Sequence, residues 1–431
     1  MRFTANLSGW IKAFGVVLVA SALAACGGGG GSSSSSSSGS SSSSSTTTSA
    51  NPNETPTSSS ASNTAAIAVN TGVANVANIP TVSVTVCAPG TSTCQTVNNV
   101  QVDTASFGLR IVNTALNSTM LSALATVTPT SGSGELVECT QFADGYTWGS
   151  VRKATVQISG ETASNINMQV IGDLSSSTVP SSCSSAGTDE STASQLGANG
   201  ILGIGVAPFD CGSACASSAA NSNYYACPSS TSTSCTQTAV AATTAGGQVQ
   251  NPVPNFSTDN NGVIVEMASV GSGGAATGSG TLVFGIGTQS NNTLSSSATR
   301  FLTSSWGDLN NSTFNSTKVA AFFDSGSNGL FLTDSALAQC GGSYVGFYCP
   351  SSTTTLNATV QGASTTSSTI TFNIANAETL YNSGNYAFND LGGTNGSSTS
   401  LDMGLPFFYG RYMYYGIDQT ASGGQSPYVA F

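Results

Sequence analysis

Two aspartates in this sequence each end an apolar run and precede a turn of small and hydroxyl residues. Asp103 follows a run that begins at Val100, and Asp324 follows one that begins at Ala320. A buried carboxylate is costly unless it is hydrogen-bonded or paired, and small residues after it let backbone N–H groups face it. We therefore predict that both aspartates are catalytic. The residues predicted to support them are Thr104, Ala105, Ser106, Ser325, Gly326 and Ser327.

The repetition of this pattern indicates internal duplication, which constrains the whole architecture. Two such loops facing each other would place Asp103 and Asp324 side by side, as a carboxyl pair that shares one proton. The sequence contains no histidine, which excludes a Ser-His-Asp triad, a Cys-His dyad and a histidine-based zinc site. Paired carboxylates are then the most natural acid–base groups for a hydrolase. We expect no cofactor and no metal.

These loops resemble those of the pepsin-like aspartic peptidases, in which each of two lobes supplies one Asp-Thr/Ser-Gly-Ser/Thr loop. The second loop fits that pattern fully, and the first has Ala105 where the family has glycine. The resemblance implies hydrolysis of peptide bonds by a water that the aspartate pair activates. It also implies that Ser106 and Ser327 hydrogen-bond the outer carboxylate oxygens, and that Thr104 and Ser325 reach across the interface between the lobes.

A second landmark resembles the hairpin that folds over the cleft in that family as a flap. The residues that the resemblance places in this flap are Phe142, Asp144, Gly145 and Tyr146. Phe142 stands where the family has tyrosine, and Arg110 stands where the family has the tryptophan that bonds this tyrosine. Tyr146 is a candidate replacement for the missing phenol. A plain edge hairpin is the alternative interpretation of this segment.

Further landmarks occur in the family's order in both halves, at residues 199–205, 280–287, 402–408 and 412–418. The resemblance therefore implies an all-β, bilobal, pepsin-like double β-barrel with a cleft between pseudo-twofold-related lobes. We place the N-terminal lobe at residues 65–248 and the C-terminal lobe at residues 249–431. A charged fraction of only 6%, with 49 glycines, also favours short strands joined by turns.

The chain begins with export and tether signals. Residues 1–26 combine basic residues, a short apolar run and the sequence Leu-Ala-Ala-Cys, which predicts a lipoprotein signal peptide with Cys26 as the lipidated residue. An ordinary signal peptide cleaved nearby is the alternative. Residues 27–64 are rich in Gly, Ser and Thr, which predicts a disordered tether. We expect a lipid-anchored protein of the bacterial cell envelope, in the outer membrane because Gly27 follows the cysteine.

The cysteines and the charge bound the remaining choices. An exported chain with an even number of cysteines after Cys26 favours disulfides over zinc. We expect the pairs Cys87–Cys94, Cys139–Cys183 and Cys340–Cys349, and two disulfides of unassigned connectivity among Cys211, Cys215, Cys227 and Cys235. A net charge of −11 argues against a nucleic-acid partner. We expect a monomer that acts on a peptide or protein.

Two other functions compete with the peptidase. A catalytically inactive surface lipoprotein of this shape would bind peptides or glycans, and the changes at Ala105, Phe142 and Arg110 favour it. A structural surface protein rich in Ser and Thr explains neither the paired loops nor the symmetry. The sequence is also similar to uncharacterised proteobacterial lipoproteins with a degenerate pepsin-like domain, and that similarity implies no function.

Overall fold

Strands dominate the protein, and only 13% of the structure is helical. The computed structural model describes residues 48–142, 145–229, 231, 233–243 and 245–431. The prediction of an all-β fold is confirmed at this level. The first eleven strands are β1 (Thr64–Val69), β2 (Thr81–Cys87), β3 (Cys94–Asp103), β4 (Phe107–Val112), β5 (Glu135–Gln141), β6 (Gly145–Ile158), β7 (Glu161–Ile171), β8 (Thr188–Asp189), β9 (Gly200–Ile204), β10 (Tyr224–Cys227) and β11 (Thr236–Gln237).

The later strands and the short helices follow the same chain order. The strands are β12 (Gly262–Met267), β13 (Gly278–Phe284), β14 (Arg300–Leu302), β15 (Leu309–Phe314), β16 (Thr317–Asp324), β17 (Leu330–Phe331), β18 (Thr354–Gln361), β19 (Ser367–Ile374), β20 (Gly392–Gly393), β21 (Ser400–Gly404), β22 (Tyr412–Gly416) and β23 (Tyr428–Ala430). The helices are α1 (Ser118–Ala123), α2 (Ser181–Ser184), α3 (Ala193–Leu196), α4 (Gly212–Ser217), α5 (Ala377–Asn382) and α6 (Leu405–Phe408).

The first half of the chain forms a closed barrel. Going round it, β2 pairs with β6, β6 with β7, β7 with β4, β4 with β9, β9 with β3, and β3 with β2. The strands β5, β10 and β11 extend the sheet beyond β6. Both β4 and β9 are buried along their whole length, because they run through the centre of the packed sheet. Their continuous apolar character is what burial on both faces requires.

A second group of strands joins the two halves of the chain. The order β1-β13-β12-β22-β23-β14 is antiparallel throughout, and β1 also contacts β2 of the barrel. The strand β1 therefore pairs with a strand from the C-terminal half, although residues 65–248 were assigned to one lobe. The remaining seven strands form a separate sheet in the order β19-β18-β15-β16-β21-β17-β20.

The same strand arrangement surrounds both candidate aspartates. In the first half, β3 lies parallel to β9 and β4 lies antiparallel to β9, with Asp103 opposite Gly203. In the second half, β16 lies parallel to β21 and β17 lies antiparallel to β21, with Asp324 opposite Gly404. The duplication inferred from the sequence is therefore present in the backbone, and each aspartate ends the strand that precedes its loop.

Five disulfides stabilise loops and hairpins of the described residues. The predicted pairs Cys87–Cys94, Cys139–Cys183 and Cys340–Cys349 are confirmed. The two pairs whose connectivity the sequence left open are Cys211–Cys215 and Cys227–Cys235. All except Cys139–Cys183 close short loops, so their effect on the entropy of the unfolded chain is smaller than that of a long-range bridge.

Part of the predicted tether is ordered. We predicted a disordered segment over residues 27–64, and residues 27–47 of it lie outside the described residues. From there to β1 the chain lies against the C-terminal half: Glu54 N donates to Gly410 O at 2.9 Å. Polar side chains contribute as well, since Thr57 N donates to the Glu266 carboxylate at 2.6 Å and the Thr281 hydroxyl donates to Thr57 O at 2.6 Å.

Candidate active site

The first loop surrounds the carboxyl group of Asp103 with donors. The backbone N–H groups of Ala105 and Ser106 donate to Asp103 Oδ1, at 3.0 and 3.1 Å. The hydroxyl of Ser106 donates to the other oxygen, Oδ2, at 2.6 Å. Three donors to one carboxyl group stabilise its ionised form. The predicted supports Ala105 and Ser106 therefore lie where the resemblance requires them.

The second loop also gives Asp324 a backbone donor and a hydroxyl donor. Gly326 N donates to Asp324 Oδ1 at 2.7 Å, and the Ser327 hydroxyl bonds Asp324 Oδ2 at 2.7 Å. Burial raises the pKa of Asp324 well above its usual range, and the neighbouring carboxyl of Asp103 raises it further. The Ser327 and Gly326 hydrogen bonds offset only part of that rise. Burial and the neighbouring acid therefore favour the neutral form of the Asp324 carboxyl group.

Reciprocal hydrogen bonds join the two loops across their seam. The Thr104 hydroxyl donates to Phe323 O at 3.0 Å and accepts from Ser325 N at 2.9 Å. The Ser325 hydroxyl donates to Val102 O at 2.7 Å. Each hydroxyl thus reaches the carbonyl just before the opposite aspartate. Because these groups are buried, breaking one of the hydrogen bonds would leave a donor or acceptor without a partner, which is unfavourable. The bonds therefore hold the two loops together.

The two carboxyl groups meet at Gly326. A Cβ placed on this glycine would lie 2.7 Å from Asp103 Cγ and 3.0 Å from Asp324 Oδ1, so both groups border the same point. Asp103 and Asp324 are only 3% and 1% exposed, and the charge of Asp103 raises the pKa of Asp324. Two carboxyl groups this close to each other make ionisation of both unfavourable.

Ala105 fits its loop without backbone strain. Neither Ala105 nor Gly326 has a positive φ, so the first loop does not require glycine for its conformation. Among the eight residues of the two loops, Ala105 alone is partly exposed. Its N–H still bonds Asp103. Alanine at this position therefore leaves the donor to Asp103 in place.

Two further residues of the seam were missed from the sequence. Gln101 is fully buried on β3, and its side-chain N–H donates to Gly326 O at 2.8 Å. The Tyr415 hydroxyl donates to Phe323 O at 2.8 Å. A glutamine between two valines of an apolar strand was a usable signal, because an uncharged polar residue buried there needs a partner. Tyr415 lies in an aromatic run, and that run does not distinguish it from its neighbours.

A third carboxyl group, that of Asp402, lies behind Ser327. Its Oδ2 is 2.6 Å from Ser327 Oγ, and the residue is fully buried on β21. Burial raises the pKa of Asp402 well above its usual range, and the charge of Asp324 adds to this effect. From the sequence, Asp402 was assigned only as the first residue of the landmark at residues 402–408. An acid between Leu401 and Met403 was the same signal that identified Asp324.

The predicted flap residues lie in apolar packing of the first half. Phe142 packs in a cluster with Ile171, Leu196 and Ile201. Tyr146 packs in another cluster, near Trp148 and the Cys139–Cys183 disulfide. Neither cluster contains a residue of the two aspartate loops.

The hairpin itself is present, with β5 and β6 paired, and Gly145 lies opposite Thr188 of β8. Phe142 N donates to Gly145 O at 2.8 Å and closes the turn. Asp144 lies outside the described residues, as does Cys26. The structure therefore shows a hairpin at this place, with Phe142 and Tyr146 packed in apolar clusters of the first half.

Arg110, which the resemblance placed beside the flap, forms a buried charge cluster instead. Its Nη2 lies 2.5 Å from Glu138 Oε1 and 3.3 Å from Asp210 Oδ2, and its Nε donates to the Thr140 hydroxyl. Burial alone would lower the pKa of Arg110, but the two acids raise it overall. Burial raises the pKa of Asp210 well above its usual range, and Glu138 adds to this rise. The single positive charge of Arg110 can neutralise only one of the two acids, which agrees with the raised pKa of Asp210.

In the described parts of the chain, no group of three or more His, Cys, Asp or Glu side chains is arranged to hold a metal ion. Across these same residues, no helix combines the length and the apolar character needed to cross a membrane. The carboxyl groups and hydroxyls of the seam offer proton transfer and hydrogen bonding.

The fold and the site together define an all-β protein whose duplicated loops bring two buried aspartates into contact. Over residues 59–431 the chain belongs to a family described as "Protein of unknown function (DUF3443)". A comparison with curated proteins finds no match. Membership of this family carries no activity, so a function has to be argued from the site.

Proposed function

We propose that this protein is an aspartic endopeptidase of the pepsin-like type. The observation that carries the proposal is the close approach of the Asp103 and Asp324 carboxyl groups at Gly326, each delivered by its own copy of one loop. Two buried acids in contact lower the stability of a fold at neutral pH. A catalytic role would explain why the sequence keeps them. The repeated strand arrangement and the reciprocal seam bonds support a pepsin-like fold with two related lobes.

The two aspartates take different roles in this mechanism. Asp103, which accepts three hydrogen bonds from its own loop, is the ionised general base. It removes a proton from a water molecule, whose oxygen attacks the carbonyl carbon of the peptide bond. Asp324 gives its proton to the carbonyl oxygen, which produces a neutral tetrahedral diol. The intermediate collapses when Asp103 returns its proton to the leaving nitrogen and Asp324 regains one from a hydroxyl, so the pair ends with its original charge.

The location of the protein belongs to the same proposal. A lipid on Cys26 would anchor the chain in the outer membrane of a bacterial envelope, with the segment after it as spacer. One lipidated residue can hold a protein at a membrane if it carries more than one acyl chain. Replacing Cys26 by serine should release the protein from the membrane fraction, and retention there would contradict the anchor.

The direct test is cleavage of a denatured protein by purified wild-type chain and by Asp324→Asn, from acidic to neutral pH. Wild type should cut within chains and the variant should not, because Asn can neither donate nor hold the shared proton. A statine-type inhibitor should bind wild type and block cleavage. Absence of both cleavage and inhibitor binding in a folded wild-type sample would refute the peptidase.

A peptide- or glycan-binding protein without catalysis is the second candidate. The burial of the pair and the packing of Phe142 and Tyr146 into apolar clusters favour it. This candidate predicts that a peptide or glycan binds wild type and Asp324→Asn equally and stays intact in both. Cleavage that disappears in the variant would exclude it.

A further inference from the structure

The Ser327 hydroxyl lies within hydrogen-bond distance of two carboxyl oxygens but carries only one proton. Its Oγ lies 2.7 Å from Asp324 Oδ2 and 2.6 Å from Asp402 Oδ2. Both distances are those of strong O–H···O hydrogen bonds. A hydroxyl carries a single proton, so it can donate to only one of these oxygens. The other contact requires a proton on one of the two carboxyl groups.

Burial decides which carboxyl group supplies that proton. Asp402 is fully buried, and its second oxygen, Oδ1, has no hydrogen-bond partner among the described residues. An ionised carboxylate in that position would be desolvated with one donor to support it, which is very unfavourable. A neutral acid leaves only a carbonyl oxygen unpaired, so its burial is far less unfavourable. Asp402 therefore donates to Ser327, and Ser327 donates to Asp324.

The groups packed around Asp402 do not replace this proton with a cation. On the neighbouring strands, Phe322 of β16 and Phe331 of β17 lie opposite it. The titratable groups that influence it or that it influences are Asp324, Asp103 and Tyr415. All of these are acids or phenols, so each negative charge nearby makes ionisation of Asp402 harder.

We propose that Asp402 is a third, proton-bearing member of the Asp103–Asp324 pair, linked to it through Ser327, and that it keeps the pair half-protonated towards neutral pH. It is a positioning residue, since Ser327 and not the substrate lies against it. Its catalytic consequence rests on the proposed peptidase function. Three coupled carboxyl groups release their last protons at higher pH than two do, because each ionised member opposes the next ionisation.

The first half provides the natural contrast. Gln101 of β3 lies opposite Ile201 of β9, and the corresponding pair in the second half is Phe322 and Asp402. The position behind Ser106 is thus apolar, whereas the position behind Ser327 carries an acid. The difference is local, because the strand pairing is the same in both halves.

The test compares kcat/KM against pH for wild type and Asp402→Asn. Asparagine has the same shape and still donates to Ser327, but it cannot ionise. We expect the alkaline limb of the profile to move to lower pH by about one unit, which corresponds to about tenfold less activity at a fixed pH on that limb. Asp402→Ile, which copies the first half, should move the limb the same way. An unmoved limb in both folded variants would overturn the proposal.

Asp390→Asn is the matched control. This acid is also buried, and burial raises its pKa to about 6, but the hydrogen bond that offsets part of this rise comes from its own backbone. Its replacement should leave the pH profile of activity unchanged. An equal shift in Asp390→Asn would show that the effect is a general one of removing a buried acid, and would overturn a specific role for Asp402.

A second readout does not depend on catalysis. Infrared difference spectra at neutral pH, wild type minus Asp402→Asn, should contain a protonated carboxyl band. If wild type proves inactive but the band is present, the peptidase fails and the three-carboxyl cluster stands. If wild type is active but the band is missing, the cluster fails and the peptidase stands. Ser327→Ala should change the frequency of the band, because it removes the acceptor of the Asp402 proton.

Discussion

The Asp103 loop and the Asp324 loop share a backbone plan but differ in what lies behind their aspartates. Behind the first is apolar Ile201, and behind the second is the acid Asp402. Asp103 accepts hydrogen bonds from its own loop, while Asp324 lies between two other acids, Asp103 and Asp402. A duplicated backbone has thus placed two identical side chains in unequal surroundings, and the proposed mechanism uses this difference to separate a base from an acid.

The two halves also accommodate their buried acids differently. In the first half, Arg110 lies between Glu138 and Asp210 and compensates part of their charge. In the second half, Asp324, Asp402 and Asp390 are buried, and burial raises the pKa of each. An arginine compensates part of the buried negative charge in the first half, so the two halves should respond differently to mutation and to pH.

The largest effect is expected from either aspartate of the pair. Asp103→Asn and Asp324→Asn should each lower kcat/KM for peptide cleavage by at least about 100-fold, because general acid or general base catalysis is lost. Circular dichroism should show that both variants remain folded. Substantial activity in one of them would break the comparison, since it would mean that the two loops do not act as a unit.

The next effect tests the ion-paired half. Arg110→Leu should lower the free energy of unfolding by about 3–5 kcal/mol, because Glu138 and Asp210 would then be buried without a cation. Denaturant unfolding at neutral pH measures this loss. The control is Arg152→Leu, whose partner Asp173 is nearer the surface, and it should lose less. Equal losses would show that burial of the cluster does not matter.

A smaller effect distinguishes the two small residues of the loops. Gly326→Ala should lower the free energy of unfolding by about 1–3 kcal/mol, because its Cβ would press against Asp103 Cγ and displace it. Peptidase activity should fall with it, since the carboxyl contact is disturbed. Thermal unfolding and a cleavage assay measure the two losses. Wild-type stability and activity in this variant would show that the pair is looser than the structure indicates.

The sequence predicted the loops well because both depend on local, repeated patterns. An apolar run that ends in an acid, followed by small and hydroxyl residues, specifies the strand, the turn and the donors together. Ser106, Ser327, Thr104 and Ser325 make the contacts expected of them. Local disulfides such as Cys340–Cys349 were predictable for the same reason, since short loops restrict the choice of partner.

Contacts between segments distant in the chain were not predictable in this way. The partners of Arg110 lie 28 and 100 residues further along, and no local pattern joins them. The packing of Phe142 and Tyr146 depends on which face of the hairpin the rest of the barrel covers. Asp402 is a different case. An acid inside an apolar run was visible in the sequence, but only the structure shows that this acid contacts Ser327.

The raised pKa of Asp390, in the second half, should make the free energy of unfolding fall as pH rises. Burial raises the pKa of Asp390 to about 6 in the folded state, above its ordinary value of 3.8. The folded state then binds more protons than the unfolded state between these values, so stability is fully present below the lower pKa and is lost as pH rises through the higher. Asp390→Asn should flatten this decline in urea unfolding measured from acidic to neutral pH. An unchanged slope would contradict the assignment.

The smallest effect is expected at Ala105, the one loop residue with an exposed face. Ala105→Gly should lower the free energy of unfolding by about 0.4–1 kcal/mol, because glycine gives the unfolded chain more freedom and the native φ does not need it. Activity should change by less than about tenfold, since the N–H that bonds Asp103 remains. Gly326→Ala is the opposite exchange in the other loop and should be more harmful. If Ala105→Gly destabilised the protein more than Gly326→Ala, the two loops would not differ in the way that their surroundings indicate.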